Sequence, residues 1–185
     1  MEKRFSIIIC AYNIEKYIKK AINSVLKQTF ENYEIILFND GSVDGTLNKM
    51  KEFEENPKIK ILSSDINRGL GAGRNICMKE AEGEYIIYLD GDDTLYEKTT
   101  LEKIDRALQK KSPDICYFGV QYVEDETGKT KIYLPNEENS CKKARILCDM
   151  HFAVSSKCWR REFLQKNNIT FIDKSYYEDM VYSIK

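Results

Sequence analysis

Glu84 to Thr94 reads EYIIYLDGDDT, an apolar run from Tyr85 to Leu89 that ends abruptly in Asp90, Gly91, Asp92 and Asp93. A short aromatic-rich run bounded by Gly and Asp reads as a buried strand. Three carboxylates crowded at one strand end repel each other and gain little from packing. A divalent cation among them resolves that conflict, because carboxylate oxygens suit Mg²⁺ or Mn²⁺. The plain alternative is a solvated acidic turn, which most Asp/Gly clusters are.

Outward from this stretch, the chain alternates strand and helix. Upstream, Phe5 to Ala11 is strand-like, and Asn13 stands where it can cap the helix that follows, whose Ile14, Tyr17, Ile18, Ala21, Ile22, Val25 and Leu26 form one apolar face. Tyr33 to Phe38 is a second strand and ends in the loop Asn39 to Thr46; Leu47, Met50 and Phe53 then mark a helix. Lys58 to Leu62 is a third strand, followed by the Gly-, Ser- and Asn-rich loop Ser63 to Gly73 and a helix from Arg74 to Ala81. Downstream of the acidic strand end, Glu97 to Lys111 is helical, with Leu101, Ile104 and Leu108 inward. This rhythm predicts a mostly parallel central sheet flanked by helices, a Rossmann-like α/β fold. Ligands of such sheets bind outside the carboxyl ends of the strands. The loops carrying Tyr12, Asp40, Arg68 and Asp92 all follow strands, so these residues are expected to converge.

After Lys111 the rhythm changes. Asp114 to Val123 and Lys129 to Leu134 read as two strands around a polar turn, Lys142 to Met150 and Arg160 to Asn167 as helices, and Tyr176 onward as a last helix. No repeat or linker interrupts the 185 residues, which form one domain: residues 1–111 as the ligand-binding half and residues 112–185 as a smaller extension.

Composition narrows the function. Hydrophobic residues make up 42% and charged residues 32%, the balance of a globular chain. A net charge of −1 gives no basic excess for nucleic acid. No apolar run approaches the ~18 residues of a membrane span. The six cysteines show no CxxC pairing and fit a reduced cytoplasmic compartment, and a single histidine, His151, excludes multi-histidine zinc sites. The basic cluster Lys142, Lys143 and Arg145 fits a solvated face better than peripheral contact with the inner face of a membrane. No feature of the sequence sets an oligomeric state.

Five stretches together resemble the family 2 glycosyltransferases of the GT-A fold, which build bacterial polysaccharides. They are SIIICAYN (6–13), QTFENYEIILFNDGSVDGT (28–46), NRGLGAGRN (67–75), AEGEYIIYLDGDD (81–93), and SKCWRREFLQKNNITF (156–171) followed by YYEDM (176–180), in family order. Two positions depart from the pattern: Asn39 stands where the family usually has Asp, and Cys10 where it usually has Pro. Family members commonly continue past the Glu-Asp motif, so a longer full-length form is expected.

The resemblance implies inverting transfer of a sugar from a nucleotide diphosphate, with a UDP-sugar favoured, to a hydroxyl of a saccharide or lipid-linked acceptor. It places Ala11, Tyr12, Asn13, Asp40, Arg68, Arg74, Asp90 and Gly91 at the nucleotide. Tyr12 is expected to stack on the base, with an ordinary half-buried aromatic as an equal alternative, Asp40 to accept from a pyrimidine N–H, and Arg68 or Arg74 to pair with the diphosphate or the base; for Arg74 a structural ion pair is an equal alternative. The metal, Mn²⁺ or Mg²⁺, falls to Asp92, with Asp90 and Asp93 beside it. Asp179, then Glu178, is the expected base that deprotonates the acceptor. Lys157, Trp159 and Arg160 are assigned to the acceptor side, although a core anchor is the stronger reading of Trp159. Asp44-Gly45-Thr46 reads as a helix cap rather than a ligand contact.

Two other classes compete. Asp90-Gly91-Asp92-Asp93-Thr94-Leu95 resembles the nucleophile loop of haloacid-dehalogenase-like phosphatases, but that loop should follow the first strand of its domain. A non-catalytic fragment that binds nucleotide-sugar is the other.

Overall fold

The structure, a computed structural model, describes residues 3–124, 127–134 and 153–172. Eight strands and five helices succeed one another in it: β1 Phe5–Ala11, α1 Ile18–Leu26, β2 Tyr33–Asp40, α2 Thr46–Lys51, β3 Ile59–Ser64, α3 Leu70–Glu80, β4 Tyr85–Tyr88, α4 Thr100–Lys111, β5 Ile115–Tyr117, β6 Val120–Val123, β7 Thr130–Tyr133, β8 Lys157–Arg160 and α5 Arg161–Lys166. The main sheet has the order β3-β2-β1-β4-β8-β5. β1 to β4 run parallel, and β8 runs antiparallel between β4 and β5. β6 and β7 form a separate antiparallel hairpin.

The period-two alternation of the strands sends side chains to two cores. Phe5, Ile7 and Ile9 of β1 join Ile35, Leu37, Tyr85 and Ile87 under α1, α2 and α4, through Ile22, Val25, Met50, Leu101 and Leu108. On the other face Ile8 meets Ile36, Phe38, Ile86 and Tyr88 beneath α3 and α5, with Cys77, Trp159, Leu164 and Phe171. Both faces of the parallel strands are therefore covered, which explains why β2 is buried along its whole length.

Four local readings change. Asn13 does not cap α1, which begins at Ile18 behind Tyr17 without a side-chain cap. α3 begins at Leu70, inside the glycine-rich stretch read as loop, and Gly73 lets it seat on the sheet: a Cβ there would lie 2.8 Å from the Phe38 ring and 3.3 Å from Cys10 Sγ. The expected strand Asp114 to Val123 breaks at Phe118-Gly119, where a Cβ on Gly119 would meet Leu134 at 2.8 Å. Residues 157–160, read only as the approach to a helix, are a strand of the main sheet.

At the amino end of the sheet, Glu34 is buried and accepts hydrogen bonds from Ser6 Oγ (2.6 Å), the Glu82 amide (2.7 Å) and Lys3 Nζ (2.8 Å). Burial alone would push its carboxyl up; these bonds outweigh that and hold it below the ordinary glutamate range. A concavity lined by Arg4, Phe30, Asn32, Asp105, Gln109 and Ser112 opens at this same end, away from the strand-end loops. Its charges satisfy each other, with Arg4 Nε 2.7 Å from Asp105.

Candidate active site

Strand order reverses at β1, whose neighbours are β2 and β4. Crevices at such switch points hold ligands in open α/β sheets. The loops that leave the carboxyl ends of β1, β2, β3 and β4 meet there, as the sequence predicted, and the structure shows how they are tied.

The β1–α1 loop is stitched to the β2–α2 loop. Asn13, at φ 52°, uses its side-chain oxygen to accept from the Val43 amide at 2.9 Å, and its own N–H donates to Ser42 Oγ at 3.1 Å. The Ile14 amide donates to Thr46 Oγ1 at 2.9 Å, and the Gly45 amide to Glu15 Oε2 at 2.7 Å. Asp44 bridges the two loops, accepting from the Thr46 amide at 2.9 Å and the Glu15 amide at 3.1 Å. Against a desolvation cost, these bonds and one from the Thr46 hydroxyl hold its carboxyl below the usual range. Asp44 thus serves the start of α2, with Gly45 in the N-cap position. Tyr12, next to the buried Ala11, stands half exposed on this frame.

Asp40 ends β2 almost fully buried. Its two oxygens accept from the Arg68 amide at 2.7 Å and the Gly69 amide at 2.9 Å. The carboxylate therefore pins the glycine-rich loop at the point where Gly69 adopts φ 91°. This is a demand that competes with the expected recognition of a base edge. Asn39, the departure from the family pattern, donates to Ser63 Oγ at 3.0 Å and so joins β2 to β3.

The two arginines separate. Arg68 is exposed, with its Nε 3.0 Å from Ser64 Oγ. Arg74 is buried and donates to Asp90 Oδ1 at 2.7 Å, between the rings of Tyr88 and Phe171 at 5.8 and 5.2 Å. Arg74 thus makes a structural ion pair, one of the two readings given to it. Asn75, a neighbour that sequence patterning did not single out, exchanges two 2.9 Å hydrogen bonds with the backbone of Phe171. Only tertiary contact reveals this clamp, since the partners lie 96 residues apart.

Gly91 is where the acidic loop touches β1. A Cβ there would sit 2.3 Å from Ile14 Cδ1 and 3.1 Å from the Cys10 carbonyl oxygen, so a larger residue would have to turn the Ile14 side chain aside and ease the loop off β1. Asp92 and Asp93 are exposed residues, although the Asp93 carboxyl is partly shielded from water, and the Asp93 amide closes a turn on the Asp90 carbonyl at 2.9 Å. Desolvation, then the charges of Asp90 and Asp92, push the Asp93 carboxyl up. The carboxylates thus feel each other. Even so, among the described residues no three or more His, Cys, Asp or Glu side chains are grouped to hold a metal. The arrangement fits a hard cation that takes one or two carboxylates and completes its shell with phosphate and water, as Mg²⁺ does. It does not fit an all-protein cage.

The three residues assigned to the acceptor side do not share one place: Lys157 starts β8 at the crevice end and Arg160 closes it at the far end. Trp159 is a core residue, buried to 1%. Lys157 is fully buried and donates to the Ala153 carbonyl at 2.8 Å. Arg160 pairs with Tyr85 at the amino end of β4, opposite to Asp90, and binds Glu84 at 3.0 Å. Because β8 is antiparallel, its successive residues run away from the crevice. Glu178, Asp179 and the cluster Lys142, Lys143 and Arg145 lie outside the described residues.

A doubly wound sheet with a glycine-rich loop, a buried Arg–Asp pair and an acidic strand end at its switch point is the architecture of the GT-A fold. Comparison with known proteins agrees: residues 6–167 match the model of glycosyl transferase family 2, and the chain belongs to that family. It is 32% identical over 194 residues to the cholesterol galactosyltransferase of Borreliella burgdorferi, covering 97% of this chain and 54% of the relative. The structure of Staphylococcus aureus TarS residues 1–349 in complex with UDP-GlcNAc superposes with a TM-score of 0.81 at 26% identity, over 98% of this chain and 52% of that one. The mannosyltransferase PcManGT of Pyrobaculum calidifontis, in complex with GDP-Man and Mn²⁺, shares the fold at a TM-score of 0.70 and 15% identity. The chain spans about half the length of these relatives. The phosphatase alternative falls with this, since Asp90 follows the fourth strand and its oxygen is held by Arg74.

Proposed function

We propose that the chain is the donor-binding part of a glycosyltransferase that moves a sugar from UDP to an acceptor hydroxyl with inversion. The observation that carries this is the convergence at one switch point of exposed Tyr12, the Asp40-pinned glycine-rich loop and the Arg74-held Asp90 beside exposed Asp92. Tyr12 offers a ring face to the base. Arg68, on the glycine-rich loop, is the proposed partner of the diphosphate, and Asp90, fixed by Arg74, that of the ribose. Asp92 would hold a divalent ion, with Asp90 and Asp93 near it; such an ion, when bound, stabilises charge on the leaving diphosphate. Asp179, with Glu178 second, is the proposed base for the acceptor proton. Relatives that carry galactosyl- and N-acetylglucosaminyltransferase names support the reaction class, and the TarS complexes with UDP-GlcNAc and UDP support the preference for uridine. Among the described residues no helix is long and apolar enough to cross a membrane.

Thermal shift with UDP, GDP, ADP and UDP-sugars, with and without Mn²⁺, tests the reading, because a ligand specific to the native state raises the melting temperature. The expected result is a Mn²⁺-dependent shift that is largest for UDP or a UDP-sugar. A larger shift with GDP overturns the uridine preference.

A further inference from the structure

We propose that the face of the β6–β7 hairpin carrying Tyr122 and Tyr133 binds a pyranose ring of a saccharide acceptor, beside the Asp90–Asp93 loop. This deepens the donor reading above and rests on it for the word acceptor.

β4 and β5 are both antiparallel to β8 and therefore parallel to each other. The carboxyl end of β5, at Tyr117, thus lies at the same edge as Asp90. From there the chain leaves the sheet at Phe118-Gly119 and rises as the hairpin. Its base is fixed by close packing, since a Cβ on Gly119 would come within 3.1 Å of the Tyr133 carbonyl oxygen. The register pairs Val120 with Tyr133 and Tyr122 with Lys131, so these residues share one face. The tyrosine rings meet edge to face, 5.3 Å between centroids at 81°, and Lys131 Nζ lies 4.7 Å from the Tyr133 ring. Tyr122 is 46% and Tyr133 40% exposed. The Tyr122 hydroxyl is held above its ordinary range by desolvation and then by the negative charge of Asp93, Tyr133 and Asp90. The hairpin thus rises at the sheet edge where the acidic loop follows β4.

A sugar ring presents C–H groups on its faces and hydroxyls on its rim. A tyrosine ring packs against the former while its own hydroxyl reaches the latter. Lys131 supplies three donors, and the neighbouring carboxylates accept from sugar hydroxyls. A membrane surface is disfavoured here, because those carboxylates would meet anionic headgroups. The opposite face of the hairpin, with Gln121, Val123, Thr130 and Ile132, carries no aromatic ring.

Saturation-transfer NMR with methyl glycosides of glucose, galactose, mannose and N-acetylglucosamine, on protein saturated with UDP and Mn²⁺, tests the proposal. At least one glycoside should receive saturation at its ring C–H protons. Tyr122→Ala and Tyr133→Ala should each weaken that binding about fivefold, the worth of one aromatic contact, whereas Tyr122→Phe should stay within about twofold. The UDP-induced thermal shift should be the same in all variants, which shows that they fold. Three results would overturn the idea: no signal from any glycoside, equal signals in wild type and both alanine variants, or loss in those variants of binding to phosphatidylglycerol vesicles with glycoside binding intact. UDP shift and glycoside signal are read separately, so failure of the first condemns the donor reading and failure of the second condemns this one.

Discussion

Replacing Asp40 by Asn separates two roles that one carboxylate can play. In the structure each oxygen accepts from a loop amide, at 2.7 Å from Arg68 and 2.9 Å from Gly69. Hydrogen bonds to a charged, buried acceptor contribute ~1.5–3 kcal/mol each, against ~1 kcal/mol for a neutral one. Asn keeps one oxygen, so one bond survives in weaker form. The other amide then faces the NH₂ of Asn, although the Gly69 amide has a second acceptor in Asn67 Oδ1 at 3.0 Å. The net loss is about 3 kcal/mol. At ~2–4 °C per kcal/mol for a chain of this size, the melting temperature should fall by roughly 6–12 °C. Urea unfolding followed by circular dichroism gives the free energy directly, and the slope m should not change. UDP affinity, measured well below the melting temperature, should fall because the loop loses its anchor. If Asp40 acts only by reading the base, the outcome differs: stability within about 0.5 kcal/mol of wild type and lost UDP binding. That result would refute the reasoning.

Asp92→Asn keeps the shape of an exposed side chain but removes its charge, so it should abolish the Mn²⁺-dependent part of UDP binding by calorimetry and leave the melting temperature unchanged. Asp179→Asn should lower transfer by ~10²–10⁴ with nucleotide affinity nearly unchanged, and weakened donor affinity would remove Asp179 from the base role. Glu34 is held below its ordinary range, so its contribution is present above the unfolded-state value and disappears as pH falls through the folded one. The stability gap between wild type and Glu34→Gln should therefore be wide at pH 7 and shrink in acid, where urea midpoints should converge; a pH-independent gap would count against the buried carboxylate network.

What could be read from the sequence was what depends on local pattern. The apolar run before Asp90, the period-two faces of β1 and the helical spacing of Leu101, Ile104 and Leu108 each report a neighbour a few residues away. Convergence of the strand-end loops followed from the sheet type alone. The failures share a cause in distant contacts. Gly73 looks like a loop residue until Phe38 is seen to need the space. Asn13 looks like a helix cap until its side chain is seen to cross to Val43. Cys158 and Trp159 make too short a run to announce a strand, and only the slot between β4 and β5 makes them one. Asp40 announces a carboxylate, but the amides it holds lie 28 and 29 residues away.

The late arrival of β8 has a consequence for synthesis. When the ribosome has delivered β4, the strand is hydrogen-bonded on one side only, to β1. Its other edge stays open until Lys157–Arg160 emerge, some seventy residues later, and β5 has no place in the sheet before then. At translation speeds of ~5–20 residues per second, that is a window of several seconds with an aromatic, unpaired edge exposed. The nascent chain is then most open to pairing with another copy or to capture by a chaperone. Insertion of Trp159 beside Ile86 closes the window, so a ribosome stalled before codon 157 should hold a nascent chain far more sensitive to protease than one stalled after α5 has cleared the exit tunnel.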